Sequence, residues 1–204
     1  MLLRKSLVAG LLFAVPAFAG VAQKYDVIDL GTFCNASEPT APCGTYSYAS
    51  SINDQSVVVG NAQGPLITNT DGSQTRVFNS HSFAWSDAFS PNKLLDLGDL
   101  GRDNSFAVGI NSTGLITGYA GKLISTSATG VENVVARSYK VLVGGVIETL
   151  PTPTTPTENM RAQAIADNDT IVGAVTTQSI SGDDNFYTHG FVLQSGATTP
   201  TLIT

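Results

Sequence analysis

The two histidines of the chain, His81 and His189, are the first residues to weigh for chemistry, because imidazole exchanges protons near neutral pH. They stand in one column. His81-Ser82-Phe83-Ala84-Trp85 and His189-Gly190-Phe191-Val192-Leu193 are two copies of one strand, and Arg137-Ser138-Tyr139-Lys140-Val141 is a third. A histidine set by repeat position reads as a structural residue whose ring bonds a neighbouring backbone, so the sequence nominates no catalytic residue. No serine elbow, paired-histidine motif or phosphate-binding loop accompanies them.

Two Asx-rich stretches, Asp167-Asn168-Asp169 and Gly182-Asp183-Asp184-Asn185, offer oxygens of the kind Ca²⁺ takes. Neither has the full ligand spacing of a calcium loop. The first also aligns with the turns Asn53-Asp54-Gln55-Ser56 and Asn111-Ser112-Thr113-Gly114, where Asx and Gly suit the backbone without an ion. The expectation is no cofactor and no metal. Asn35-Ala36-Ser37, Asn111-Ser112-Thr113 and Asn168-Asp169-Thr170 match the glycosylation sequon, and their turn positions make chance the simpler source. Cys34 and Cys43 flank a short segment holding Pro39 and Pro42. In an exported chain they read as a disulfide that pins a loop. A metal pair, lacking further Cys or His nearby, and two free thiols are the alternatives.

The elements that carry these residues repeat. Residues 105–120, SFAVGINSTGLITGYA, recur in diverged form at 47–62 and 161–175. Alignment on Gly60, Gly118 and Gly173 places Ile52, Ile110 and Ile165 in one column and Ala49, Ala107 and Ala162 in another. Each copy reads as two short strands around a polar turn. A strand ending in Asp29-Leu30-Gly31 returns at Asp96-Leu97-Gly98, more weakly at residues 145–150 and partially at 200–204. The aromatic column Phe83, Tyr139, Phe191 alternates with smaller residues, as a strand with one buried face does.

These signals predict an all-β fold of three four-stranded repeats of about 55–58 residues, resembling propeller blades. The units are placed at about 24–92, 93–144 and 145–199, each opening on its Asp-Leu-Gly strand, with residues 200–204 starting a further strand that pairs with a neighbour. Neither end shows a cap in the sequence, so an open, incomplete array with exposed sheet edges is expected. Ile52, Ile110, Ile165, Phe83, Tyr139 and Phe191 are the expected core. Variable loops at 63–75, 121–133 and 176–185 are the expected contact surface.

The first 19 residues read as a signal peptide. Arg4 and Lys5 precede an apolar run at 7–15, too short to span a bilayer, and Ala17-Phe18-Ala19 is a small-x-small cleavage site. Residues 20–204 would then form the mature β-repeat domain, secreted or periplasmic and without membrane insertion. The formal charge of −6, more negative once Arg4 and Lys5 are lost, excludes a nucleic-acid footprint of clustered Lys and Arg.

The chain resembles the HAF-repeat extracellular proteins of bacteria, or a related exported family of unknown function. Asp96-Leu97-Gly98, Ala107, Ile110-Asn111, Gly114, Gly118 and His81-Ser82-Phe83-Ala84-Trp85 carry the likeness. Arg137 stands for the His in the second copy and Ala166 for the Asn in the third. The resemblance implies an extracytoplasmic β-repeat protein and transfers no catalytic residue. The expected function is a non-enzymatic interaction module for an unknown protein or glycan. A carbohydrate-binding or carbohydrate-active protein and a self-associating structural component of the cell surface are the alternatives.

Overall fold

A computed structural model describes residues 25–34, 40–89, 92–126, 132–153, 157–178 and 186–203. The signal segment at 1–19, the sequon at Asn35 and the stretch from Gly182 to Asn185 lie outside them. The first sheet holds β1 (Ser47–Ile52), β2 (Val58–Ala62), β5 (His81–Trp85) and β6 (Leu94–Gly98), with a separate hairpin, β3 (Leu66–Thr68) and β4 (Gln74–Arg76), in the β2–β5 connection. The second holds β7 (Asn104–Ile110), β8 (Leu115–Thr126), β9 (Glu132–Leu142) and β10 (Glu148–Thr149). The third holds β11 (Thr157–Ile165), β12 (Ile171–Gln178), β13 (Phe186–Leu193) and β14 (Thr201–Ile203). Every pairing within a sheet is antiparallel, no helix occurs among the described residues, and no sheet closes on itself.

One row of side chains fixes the register of all three sheets. Ala49 pairs with Gly60 and Gly60 with Phe83; Ala107, Gly118 and Tyr139 form the same row in the second sheet, and Ala162, Gly173 and Phe191 in the third. A bulge follows the alanine each time, between Ala49 and Ser51, Ala107 and Gly109, and Ala162 and Ala164. The bulge brings backbone oxygen against the glycine. A Cβ on Gly118 would lie 2.1 Å from the Phe106 carbonyl oxygen and 2.6 Å from the Tyr139 hydroxyl, and one on Gly173 would lie 2.7 Å from the Phe191 ring. Glycine is there for space.

The hydrogen-bonded sheets are cut one strand later than the expected units. Leu94–Gly98 pairs with β5, Glu148–Thr149 with β9 and Thr201–Ile203 with β13, so each Asp-Leu-Gly-type strand closes the sheet before it. Residues 201–203 form a strand paired with a neighbour, as expected, and that neighbour is β13 of the third sheet. The packing follows the sequence unit all the same. Leu97 belongs to the cluster that holds Tyr139, and Leu150 to the cluster that holds Phe191. Each such leucine hydrogen-bonds backward and packs forward, which is why the sequence repeat and the sheet are out of phase.

The first copy of this strand forms no sheet. Residues 25–31 lack strand pairing, although Asp29 accepts from the Gly31 amide as Asp96 does from Gly98, and Gly31 and Gly98 both have positive φ. Leu30 still does what Leu97 does: with Phe33 it packs on the cluster of Ala62, Phe83 and Trp85 at the rear of the first sheet. That end is capped, against expectation. The Cys34–Cys43 disulfide (Cα–Cα 4.3 Å) holds the cap beside the Gly44 amide that donates to Phe33, and Phe33 stacks edge-on to Phe78.

The expected core needs one correction. Phe83, Tyr139, Phe191 and Ile110 are buried, and Ile165 is half-buried against the third cluster. Ile52 is 61% exposed. All three isoleucines sit at the same hairpin position, opposite Val58, Ile116 and Ile171, but only Ile110 and Ile165 have a preceding unit behind them. The supposed loops are corrected too. The 63–75 segment contains β3 and β4, and residues 121–126, 132–133 and 176–178 prolong strands, leaving 127–131 and 179–185 outside the described residues.

Candidate functional site

Antiparallel order puts the β1–β2 and β5–β6 turns at one end of the first sheet and the β2–β5 and β6–β7 connections at the other. Charged groups converge at the connection end. His81 opens β5 there, and β6 runs back beside it to deliver Asp96 and then Asp99. Its Nδ1 lies 2.9 Å from Asp96 Oδ2 and its Nε2 3.3 Å from Asp99 Oδ2. The Phe78 ring stacks on the imidazole with centroids 3.6 Å apart and planes 3° from parallel. Nδ1 hydrogen-bonds the Asp96 carboxylate, while Nε2 faces Asp99 at ion-pair distance. The expected backbone partner of His81 is thus replaced by two side-chain carboxylates.

Among the described residues the arrangement occurs in the first unit alone. Register equates His81 with Arg137 and His189, which lie opposite Ala62, Ala120 and Val175. Asp96, opposite Phe83, is replaced by Thr149 opposite Tyr139 and by Leu202 opposite Phe191. A cleft beside His81 is lined by Arg76, Phe78, Asn79, Asp99, Arg102 and Asp103. Arg76 is oriented by donating to the Gly64 carbonyl at 2.7 Å, and Arg102 by donating to the Val135 carbonyl across on β9 at 3.2 Å. Chemically this is a mixed-charge cleft with both signs fixed in place. It suits recognition of a polar or zwitterionic surface. It is poorly suited to glycoside hydrolysis, because the His81 ring fills the space between Asp96 and Asp99 where a glycosidic oxygen and a water would have to sit.

Beneath the cleft, Ser82 and Ser105 lock the first sheet to the second. Ser82 Oγ and Ser105 Oγ are 2.9 Å apart, the Ser82 amide donates to Ser105 Oγ at 2.8 Å, and Ser105 Oγ donates to the Gly98 carbonyl at 2.6 Å. Ser138, the equivalent of Ser82, accepts from the Ala162 amide at 2.7 Å at the next junction. Tyr139 Oη is buried close by and makes no hydrogen bond among the described residues; the hydroxyl of Ser82, which faces it, is taken up by Gly98 and Ser105. Burial pushes the Tyr139 phenol well above its usual range.

Sequence reasoning put His81 in the right column and missed its partners. The signal was the doubled Asp96-Leu97-Gly98-Asp99-Leu100-Gly101, which one strand end does not require. Asp167 and Asp169, considered for calcium, face the second unit's turn: Asp167 Oδ1 accepts from the Ser112 amide at 2.9 Å and Asp169 Oδ1 from Asn111 Nδ2 at 2.7 Å. Among the described residues no group of three His, Cys, Asp or Glu is placed to hold a metal ion, and no helix is long and apolar enough to cross a membrane. No family model, no curated protein and no solved structure matches the chain.

Proposed function

We propose that this chain is an exported, non-enzymatic interaction module of the HAF-repeat type, its three sheets serving as propeller-like blades in an open array. The contact surface on this reading is the connection end of the sheets. The observation that carries it is the cleft of Arg76, Asp99, Arg102 and Asp103 around His81, found among the described residues in the first unit alone. A feature needed only to fold a repeat would recur with the repeat, as the Ala–Gly–aromatic row does. The disulfide supports an oxidising compartment, in keeping with the expected export.

The test is comparative capture from the extracytoplasmic fraction of a producing cell, alongside a glycan array. Wild type and an Ile52→Ser variant, altered at the opposite end, should retain the same partner. Arg102→Glu and Asp99→Lys should lose it by tenfold or more. Equal capture by all four would place the contact elsewhere, and turnover of a glycoside would replace the module with an enzyme.

A further inference from the structure

Each sheet has a rear face towards the preceding unit and a front face towards the following one, and the front faces of the first two sheets are covered. Val59, Ala84 and Leu97 are buried against the second unit and Thr117 and Leu150 against the third, while Lys140, at the place of Ala84, stays half exposed and pairs with Glu148. Register assigns the same positions in the third sheet to Val172, Val192 and Ile203. Val172 is 38% exposed and Ile203 60%. Ala174 and Gly190 fill the places between them, so these five positions present small and branched apolar groups; Arg161, opposite Ala174, lies with its guanidinium 5.3 Å from the Tyr119 ring centre. Five of the six corresponding places in the first two sheets are buried, and among the described residues nothing covers this face in the same way.

A counterpart to this face also exists in the chain. The rear of the first sheet carries the Phe83 cluster that a preceding unit's leucine would meet, and Leu30 occupies it instead. Leu30 is the Asp-Leu-Gly leucine of a segment with no sheet, and the residues before it, Tyr25, Val27 and Ile28, are exposed. Leu30 and Ile203 are therefore equivalents by repeat position, one seated on an aromatic cluster and one without such a seat.

We propose that the front of the third sheet docks the rear of the first sheet of a second copy of this chain, Ile203 replacing that copy's Leu30 on Phe83, and that two copies close head to tail into a six-sheet ring. The head-to-tail contact stands on residue equivalence and burial, whereas closure at two copies rests on the blade reading above, six being within the four to eight blades of closed propellers. Exchanging one branched apolar plug for another of similar size changes little free energy within a chain, so concentration decides the outcome, as in strand exchange between protomers. The junction is weaker than the two inside the chain. Asn53 and Asn111 each donate to the next unit's turn, but Ala166 cannot; Ser82 and Ser138 each bond the next unit, but Gly190 cannot.

The test is light scattering of the full mature chain over a dilution series. Wild type should pass from monomer to dimer, Val172→Glu should stay monomeric with an unchanged thermal transition, and Leu30→Ala should lower the dissociation constant about tenfold by vacating the seat. Leu30 has no part in a front-to-front dimer, so an unmoved constant overturns the proposal, as does spontaneous disulfide pairing of Ile203→Cys with itself. A wild type that is monomeric at every concentration, or an open polymer, also overturns it. Loss of the partner on Arg102→Glu tests the module reading separately, since Arg102 is not on either docking face.

Discussion

The side-chain amide of Asn53 donates to the backbone carbonyl of Asn111 at 3.1 Å, and Asn111 in turn donates to the carbonyl of Ala166 at 3.2 Å. Three hairpin turns from three different sheets are thereby tied in series. Each asparagine also braces its own turn, since Asn111 Oδ1 accepts from the Thr113 and Leu115 amides and Asn53 Oδ1 from the Gln55 and Val57 amides. One side chain does local and long-range work at once. Asn111 is buried, so Asn111→Ala should cost about 2–3 kcal/mol by stranding several polar groups. Asn53→Ala, at the more open end, should cost less. Urea titration of both variants checks the order; equal costs would mean that the turns are not coupled.

A second expectation follows from Tyr139, the one hydroxyl in a column otherwise filled by Phe83 and Phe191. Its Oη is buried with no hydrogen bond among the described residues, so Tyr139→Phe removes an unpaired polar atom and keeps the ring. The variant should be as stable as wild type or more stable by up to about 1 kcal/mol. Gly118→Ala, directly opposite, should behave in reverse. Its methyl would enter the Phe106 carbonyl and the Tyr139 ring, an overpacking that costs at least about 1–3 kcal/mol. Thermal unfolding of the pair decides it, and a destabilised Tyr139→Phe would reveal a partner for the hydroxyl.

The columns of the repeat were legible in the sequence because they are enforced locally. Ala, Gly and an aromatic side by side across three strands leave little freedom, and the spacing of Gly60, Gly118 and Gly173 sets the register of every sheet. What was illegible depends on neighbours in space. Ile52 and Ile110 are the same residue in the same turn, and only the presence of a preceding unit separates an exposed side chain from a buried one. The Asp-Leu-Gly strand hid its role for a similar reason: its hydrogen bonds and its leucine belong to different units, and a linear pattern shows only one period. The His81 site was hidden because it breaks the repeat, and averaging over copies removes what is particular to one.

That contrast yields a paired measurement. Ile110→Ala should destabilise by about 2–5 kcal/mol, as truncation in a packed core does. Ile52→Ala should fall within about 0.5 kcal/mol of wild type, as surface changes do. Guanidinium titrations of the two variants suffice, and a large cost at Ile52 would mean that something covers the first hairpin.

Asp167 supplies a pH dependence whose sign is fixed by geometry. Its carboxylate accepts from the Ser112 backbone amide at 2.9 Å, and hydrogen bonding from Ser112 holds the carboxyl below the usual aspartate range. A depressed folded-state pKa means that the folded protein favours the charged form. The contribution is therefore present in full above the ordinary aspartate range, near pH 4, and fades as pH falls through the lower folded-state value. The group is solvent-exposed, so the effect is small and salt-sensitive. Asp167→Asn should narrow the stability difference between neutral and acid conditions and leave the acid value almost unchanged. Unfolding curves for both proteins between about pH 3 and pH 7 give the answer. If the substitution shifts stability equally at both ends of that range, the link from the third turn to the second does not depend on the charge of Asp167.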